Sequence, residues 1–428
     1  MAHFGVLSYK GAGHLNPLIA LSRQLMVRGH GVTFFLNAEM ENYIDARGLG
    51  FVPIGASNSD HVKHEKPSGG IAVLRYRMRR TISEMEMFLY ETPSALQRVK
   101  VDALIIDELA LAGPTVAQIV NLPYFILSTS VPHNFGWSAP RHMMPSRSLL
   151  DRIQCALLEV SVLDMRGPVL HSLDRFRYKA GLGSIREIRN TFSELAHITQ
   201  LPRCMDFSRS HLPANFCYAG PFIDESARPA ISFPWERLDG RPLVYASMGT
   251  TRRCEATVFH RIAEACEGLD IQLVISLGGR RDPGIFQTLP GDPLVVSEAP
   301  QLDLLKKAAA VITHAGPNTV FETLMYGKPM VAIPTAFDQP AIAARLAWRK
   351  ATIVLPPGKL SAKRLHTALR KILEDPSYRK VAEEIQAELH SHRGLERAAE
   401  RIETAFKQYT ESRALSNIHS AEPRVEKE

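Results

Sequence analysis

SEAPQLDLLKKAAAVITHAGPNTVFETLMYGKPMVAIPTAFDQPAIAAR, residues 297–345, carries two strand–turn–helix units in a row. The apolar run Ala308 to Ile312 has the uninterrupted character of a strand buried on both faces. It empties into Thr313-His314-Ala315-Gly316-Pro317-Asn318-Thr319, where glycine marks the turn and proline suits the first position of a helix. That helix presents unpaired N–H groups and the positive end of its dipole to the turn, which is where a phosphate binds without a basic side chain. His314, Asn318 and Glu322 are spaced four apart and share one face of the helical entry. They form a series of cation-capable group, amide and carboxylate. A carboxylate beside a phosphate suits a pair of ribose hydroxyls, so the spacing points to a nucleotide. The next strand, Pro329 to Ile333, leads into Pro334-Thr335-Ala336-Phe337-Asp338-Gln339-Pro340, which leaves an acid and an amide at a strand end, able to grip sugar hydroxyls.

A-P-Q at 299–301, the run H-A-G-x-N-T-x-x-E-x-L-x-x-G-x-P from His314, and D-Q-P at 338–340 resemble the donor signature of the family 1 nucleotide-sugar glycosyltransferases. The likeness extends from Phe4 to about Lys407 and is greatest for the bacterial zeaxanthin-glucosyltransferase and macrolide-glycosyltransferase branch. The resemblance implies an α/β protein of GT-B fold, two Rossmann-like domains facing each other across a cleft, with a C-terminal helix crossing back to the N-terminal domain. It further implies that Gln301 meets uracil. His314, Gly316, Asn318 and Thr319 would meet the pyrophosphate, Glu322 the ribose, and Asp338 with Gln339 the transferred sugar. Two positions depart from the pattern: Glu298 stands where many relatives have an aromatic residue, and Pro317 where many have Trp.

Working outward, 428 residues exceed one hydrophobic core and predict two domains. Residues 1–219 are expected to form an acceptor-binding half and 220–242, with prolines at 221, 229, 234 and 242, a linker. Residues 243–394 would form the nucleotide-sugar half, 395–410 the returning helix, and 411–428 a polar disordered tail. The strand Leu243 to Ala246 ends in Ser247-Met248-Gly249-Thr250, a loop offering further donors to phosphate, in particular Ser247, Gly249 and Thr250.

The N-terminal half opens with strand His3 to Ser8, the turn Lys10-Gly11-Ala12-Gly13-His14-Leu15, and a helix expected from Pro17 to Arg28 with Asn16 as its cap. The third glycine of the dinucleotide fingerprint is missing and no acid closes the strand Val32 to Leu36, which argues against NAD. Residues 70–89 show a helical apolar period with Arg75, Arg79 and Arg80 outside it, a sheet-covering helix that also offers a peripheral membrane contact. Between Glu108 and Arg141 no charged residue occurs, yet prolines, Asn and His interrupt the run too often for a membrane span. It reads as the wall of a lipophilic acceptor pocket, with Leu109, Phe125, His133, Phe135 and Trp137 as lining residues.

The net charge of +7 is dispersed apart from the arginines at 75–80 and Arg252-Arg253, and no nucleic-acid module accompanies it. Five cysteines, at 155, 204, 217, 254 and 266, have neither metal-like nor C-x-x-C spacing and suit reduced thiols. No secretory signal precedes the first strand, so a cytoplasmic monomer is expected.

His14 and Asp107 both stand at strand ends that open on the cleft. A hydroxyl that accepts a sugar needs a base, and a near-neutral His oriented by a carboxylate is matched to that task. The resemblance implies that these two form the catalytic dyad. No D-x-D occurs, so no metal is expected: the diphosphate would rest on the helix at Pro317 and the 247–250 loop, and a single displacement would invert the sugar. The expected reaction moves a hexose, glucose first, from a UDP-sugar to a small lipophilic alcohol such as a carotenoid, flavonoid or macrolide. A GT-B-shaped nucleotide-sugar epimerase and a non-catalytic binding protein are the alternatives, and neither needs the uncharged acceptor wall.

Overall fold

Residues 1–55, 70–132, 167–185, 192–209, 212–250, 255–279 and 281–421 are described by the structure, a computed structural model. The first sheet consists of β1 (His3–Leu7), β2 (Gly31–Asn37), β3 (Gly50–Ile54), β4 (Ala103–Asp107), β5 (Tyr124–Ser128), β6 (His197–Thr199) and β7 (Phe216–Tyr218), in the order β3-β2-β1-β4-β5-β6-β7. The second consists of β8 (Leu243–Ser247), β9 (Gln272–Ser276), β10 (Leu294–Val296), β11 (Ala308–Thr313), β12 (Met330–Ala332) and β13 (Thr352–Val354), in the order β10-β9-β8-β11-β12-β13. All pairings are parallel. This is the GT-B arrangement of two Rossmann-like domains.

The helices cover both faces of each sheet: α1 (Ala12–Val27), α2 (Glu41–Asp45), α3 (Gly70–Val99), α4 (Gly113–Ile119) and α5 (residues 167–179) in the first half, α6 (Ala256–Cys266), α7 (Gln301–Lys307), α8 (Pro317–Met325), α9 (Gln339–Trp348), α10 (Ala362–Glu374), α11 (Pro376–His392) and α12 (Gly394–Ala421) after it. Parallel strands buried on both sides feed two cores in alternation. On β11, Val311 faces one core while Ala310 and Ile312 face the other.

Chain order reverses between β1 and β4 in one sheet and between β8 and β11 in the other, the crevice positions where α/β proteins bind ligands. His14 and Asp107 follow the first pair, and Ser247 and His314 the second.

The helix α12 leaves the second half and packs on α1, where Ala398, Ala399, Ile402 and Ala405 join the first core and Phe406 meets Phe4 edge to face at 5.7 Å. The alanines let the helix approach closely. Arg28 fixes its register by a fork to Glu403 at 2.6 and 2.9 Å. The expected disordered tail is corrected here: residues 411–421 continue the helix. A formed helix extends cheaply through good helix formers such as Glu411, Arg413, Ala414 and Leu415 even when that stretch is exposed.

The two halves are joined by a buried charge cluster. Arg345 on α9 is fully buried and donates through Nε and Nη2 to Asp206 Oδ1 of the first half at 3.0 and 2.8 Å. Arg209 at 2.6 Å and the Tyr218 hydroxyl at 2.8 Å serve Oδ2. Two guanidinium groups hold the Asp206 carboxyl below its usual range despite burial, so neither ion is left uncompensated.

Candidate active site

The first wall is set by how α1 begins. Gly11, with φ of 149°, turns the chain directly into a helix starting at Ala12, and Pro17 lies inside it. The expected start at Pro17 with an Asn16 cap is therefore corrected. Asn16 instead accepts from the Tyr43 hydroxyl at 2.6 Å. Because Pro17 has no N–H, the carbonyl of Gly13 four residues earlier has no helical donor. It turns to the cleft and accepts from Asn318 Nδ2 of the other half at 3.1 Å.

The early start puts His14 in the first turn, over the end of β4. Its Nδ1 lies 2.9 Å from Asp107 Oδ2 and 2.8 Å from Thr129 Oγ1. Asp107 is 1% exposed, and its other oxygen accepts from the Leu109 N–H at 2.8 Å. A buried carboxylate on Nδ1 makes that nitrogen the N–H donor, which leaves Nε2 with the lone pair. Burial works against a charged His14, but Asp107, reinforced by Asp338 from across the cleft, outweighs it and raises the imidazole above its ordinary value.

The second wall is the turn after β11. Ala315 is left-handed at φ 63° and Gly316 caps α8, whose Asn318 and Thr319 lie in the first turn with Pro317 before them. The His314 ring is slotted between two glycines: a Cβ on Gly249 or Gly316 would come within 2.5 or 2.4 Å of its Nε2. Burial without a carboxylate pushes His314 down to about 4. Burial thus holds this cation-capable group in its neutral form, a hydrogen-bonding group rather than a charge. Ser247 ends β8 buried, and Gly249 follows at φ 79°, with Thr250 exposed at the rim.

Deeper in, Glu322 is 1% exposed. It accepts from Gln301 Nε2 and from the Arg228 guanidinium of the linker, while Gln301 Oε1 accepts from the Tyr245 hydroxyl at 3.2 Å. Burial raises the Glu322 carboxyl, and Arg228 and Gln301 oppose it. Asp338 accepts from Ser130 of the first half. Gln339 folds its Oε1 back onto the N–H groups of Thr335 and Ala336 at 2.8 and 2.9 Å, so only its amino group is left to face outward.

Gln200 closes the ring, donating to Asn318 Oδ1 at 3.1 Å and to the carbonyl of Thr129. His14, Thr129, Gln200, Asn318 and the Gly13 carbonyl thus form one chain of contacts across the cleft. Thr129, Ser130, Gln200 and Arg228 were not singled out in the sequence. The first three follow the ends of β5 and β6, so the strand-end rule that found Asp107 would have found them; Arg228 carries no local signal.

Of the five residues of the predicted acceptor wall, Leu109 and Phe125 are among the described residues. Phe125 is 1% exposed in the first core and meets Phe4 edge to face at 6.3 Å, which removes it from any pocket. On β5, Phe125 and Leu127 point to one core and Ile126 to the other, so the strand has no face to spare. Leu109 is exposed, and His133, Phe135 and Trp137 lie outside the described residues. Among the described residues there is no grouping of His, Cys, Asp and Glu that could hold a metal, and no helix long and apolar enough to cross a membrane.

Comparison with known proteins bears on this geometry. The family described as UDP-glucoronosyl and UDP-glucosyl transferase matches residues 169–403, and the glycosyltransferase family 28 N-terminal domain matches residues 11–131. The chain is similar to a zeaxanthin glucosyltransferase of Pantoea ananas, 29% identical over 94% of this chain and 96% of that one. It is also similar to a zeaxanthin glucosyltransferase of Pseudescherichia vulneris, 30% identical over 81% of this chain and 84% of the other. In fold it is similar to the crystal structure of the glycotransferase of kitacinnamycin, with a TM-score of 0.75 at 23% identity, covering 95% of this chain and 99% of that one.

Proposed function

Since the chain belongs to the UDP-glucuronosyl and UDP-glucosyl transferase family and is a glycosyltransferase, we propose that it moves a hexose, glucose first, from a UDP-sugar to a hydroxyl of a small lipophilic acceptor. The transfer is inverting and needs no metal. The observation that carries this reading is the His14–Asp107 pair facing Asn318 and Asp338 across one cleft.

In this mechanism the acceptor hydroxyl lies against His14 Nε2. As its oxygen attacks the anomeric carbon, His14 takes the proton and Asp107 stabilises the imidazolium through Nδ1. The bond from the anomeric carbon to the diphosphate breaks on the opposite face, and the configuration inverts. Charge arriving on the leaving diphosphate is met by the N–H groups of Asn318 and Thr319 at the start of α8 and by neutral His314, donors aligned before the reaction begins. Glu322 accepts the ribose hydroxyls, and Asp338 with the Gln339 amino group accommodates the sugar. Asn318, Asp338 and Glu322 are each engaged by the first half or the linker, through Gly13 and Gln200, Ser130, and Arg228. A zeaxanthin acceptor in the named relatives supports the lipophilic class.

The test is incubation with UDP-glucose and a panel of phenols and long-chain alcohols beside glycerol and glucose, with and without a chelator. A β-glycoside of the apolar alcohols from the α-linked donor, unaffected by chelation, is expected. Equal turnover of the simple polyols, retained anomeric configuration, or loss with chelator would each overturn the corresponding part.

A further inference from the structure

Away from the cleft, a cavity of about 390 Å³ lies at the point where the chain passes between the halves. That volume lies within the range of small-molecule sites. Its walls bring together Arg203 from the turn after β6, Cys217 and Tyr218 of β7, His392 at the end of α11, and Arg397 and Arg401 on the first turns of α12. None of its lining residues is acidic. Among the described residues the three guanidinium groups make no ion pair. Arg203 reaches the Phe207 carbonyl at 3.5 Å and lies over the Tyr218 ring at 5.3 Å, Arg397 approaches His392 Nδ1 at 3.4 Å, and Arg401 the Leu195 carbonyl at 3.4 Å. Each has five donors, so most of this capacity is unspent. Nearby charges on the same helix behave differently: Glu403 and Glu396 are each paired with an arginine.

The acid bonded to Tyr218 behind the wall does not compensate them. Tyr218 donates to Asp206, but Asp206 is already held by Arg345 and Arg209, two cations to one anion. The cavity is therefore a concentration of positive charge with forked donors, the geometry that recognises phosphate oxygens. Pro202 and Phe216 supply an apolar flank.

We infer that this cavity is a second ligand site, distinct from the donor cleft, which takes a phosphate monoester carrying a small organic group. It shares no residue with the cleft. The two crossings meet next to its lining residue Gly220: a Cβ on Gly394 would lie 2.5 Å from the Pro221 carbonyl, so linker and returning helix touch there. A ligand in it bridges β7, the linker and the α11–α12 junction.

The monoester could be free or a lipid headgroup, and the experiment separates the two. With the cleft saturated by UDP, phenyl phosphate is titrated into the full chain by calorimetry; one further equivalent should bind, and Arg397→Gln with Arg401→Gln should weaken it at least tenfold while UDP affinity is unchanged. Arg203→Gln changes an exposed side chain that belongs to none of the hydrophobic cores, should weaken it several-fold by itself and covers the case in which the double variant does not fold. Phenyl phosphate should also protect the half-buried Cys217 from alkylation, read by peptide mass. Retention on phosphatidic acid vesicles but not on phosphatidylcholine ones would assign the monoester to a lipid, and binding of phenyl phosphate without retention to a free metabolite. Absence of saturable phenyl phosphate binding beside UDP, or binding that Arg203→Gln and the double variant leave unaltered, would overturn the inference.

Discussion

His14 and His314 both lie at a crevice where chain order reverses, one in the helical turn that follows β1 and the other directly after β11, yet their electrostatics are opposite. His14 has a buried carboxylate on Nδ1 and is raised; His314 sits between Gly249 and Gly316 with no carboxylate and is pushed down to about 4. Both are largely removed from water, so burial alone does not distinguish them. The partner does. In the proposed reaction the first accepts a proton, and the second stays neutral while it donates a hydrogen bond to an anion.

The harshest test of this contrast removes His14. His14→Ala should lower transfer by about 10² to 10⁴, the usual worth of general-base catalysis, with UDP-sugar affinity little changed. Asp107→Asn should fall short of that loss, and the double variant should be scarcely worse than His14→Ala, because an orienting carboxylate has nothing left to orient. A loss in kcat/KM that merely tracks weaker UDP-sugar binding would make His14 a turn residue.

On the donor side, Glu322→Ala should weaken UDP binding by about 1.5 to 3 kcal/mol, the range for hydrogen bonds to charged groups, without slowing the bound complex to the extent His14→Ala does. Unchanged affinity in calorimetry removes Glu322 from the site. Arg228→Met sharpens the point. Burial raises the Glu322 carboxyl and Arg228 opposes that; without Arg228 the carboxyl should hold its proton to higher pH. UDP affinity should then fall and recover as pH rises, with a weaker pH dependence in the unaltered protein, where Arg228 opposes the effect of burial. Arg228→Lys should restore it. A loss independent of pH would mean Arg228 acts only as packing.

The smallest effect is on stability, and its sign differs between the two imidazoles. His14, raised when folded, contributes stability that is complete below its unfolded value of about 6.5 and fades as pH climbs through the folded value. His314, lowered, has the reverse effect: stability is complete above about 6.5 and is lost as pH falls toward 4. Thermal melts between pH 4 and 8 should therefore show His314→Gln flattening the acid limb, at about 2–4 °C per kcal/mol. An acid limb identical to that of the unaltered protein would mean the imidazole is wetter than its slot implies.

Much of this was legible beforehand because local chemistry and fold agreed. The strand–Gly–Pro turn at 313–317 could only be a strand leading into a helix, and it is. Where reading failed, a distant contact had decided. Asn16 looked like a cap because Asn before Pro usually is one, but Gly11 starts the helix earlier and Tyr43 claims the amide. Phe125 looked like pocket lining because its neighbourhood is uncharged, yet a central parallel strand packs both faces. Arg228 could not be found at all, since its partner lies 94 positions away and no spacing links a linker arginine to a helix carboxylate.

By itself the amino-acid sequence determined the two α/β halves, the family, and the strand–turn–helix units of residues 297–345, because those depend on patterns within a few tens of residues: apolar runs, turn residues, and side chains repeating at the helical period. Only the tertiary structure decided which of the two cleft histidines has a buried carboxylate beside it. It also decided that the Gly13 carbonyl faces Asn318, that Arg228 neutralises Glu322, and that three arginines line one cavity without an acid. Each of these turns on which groups meet after burial, and the free energy of an ionisable group depends on its desolvation and its partners, quantities that no stretch of chain contains until the halves come together.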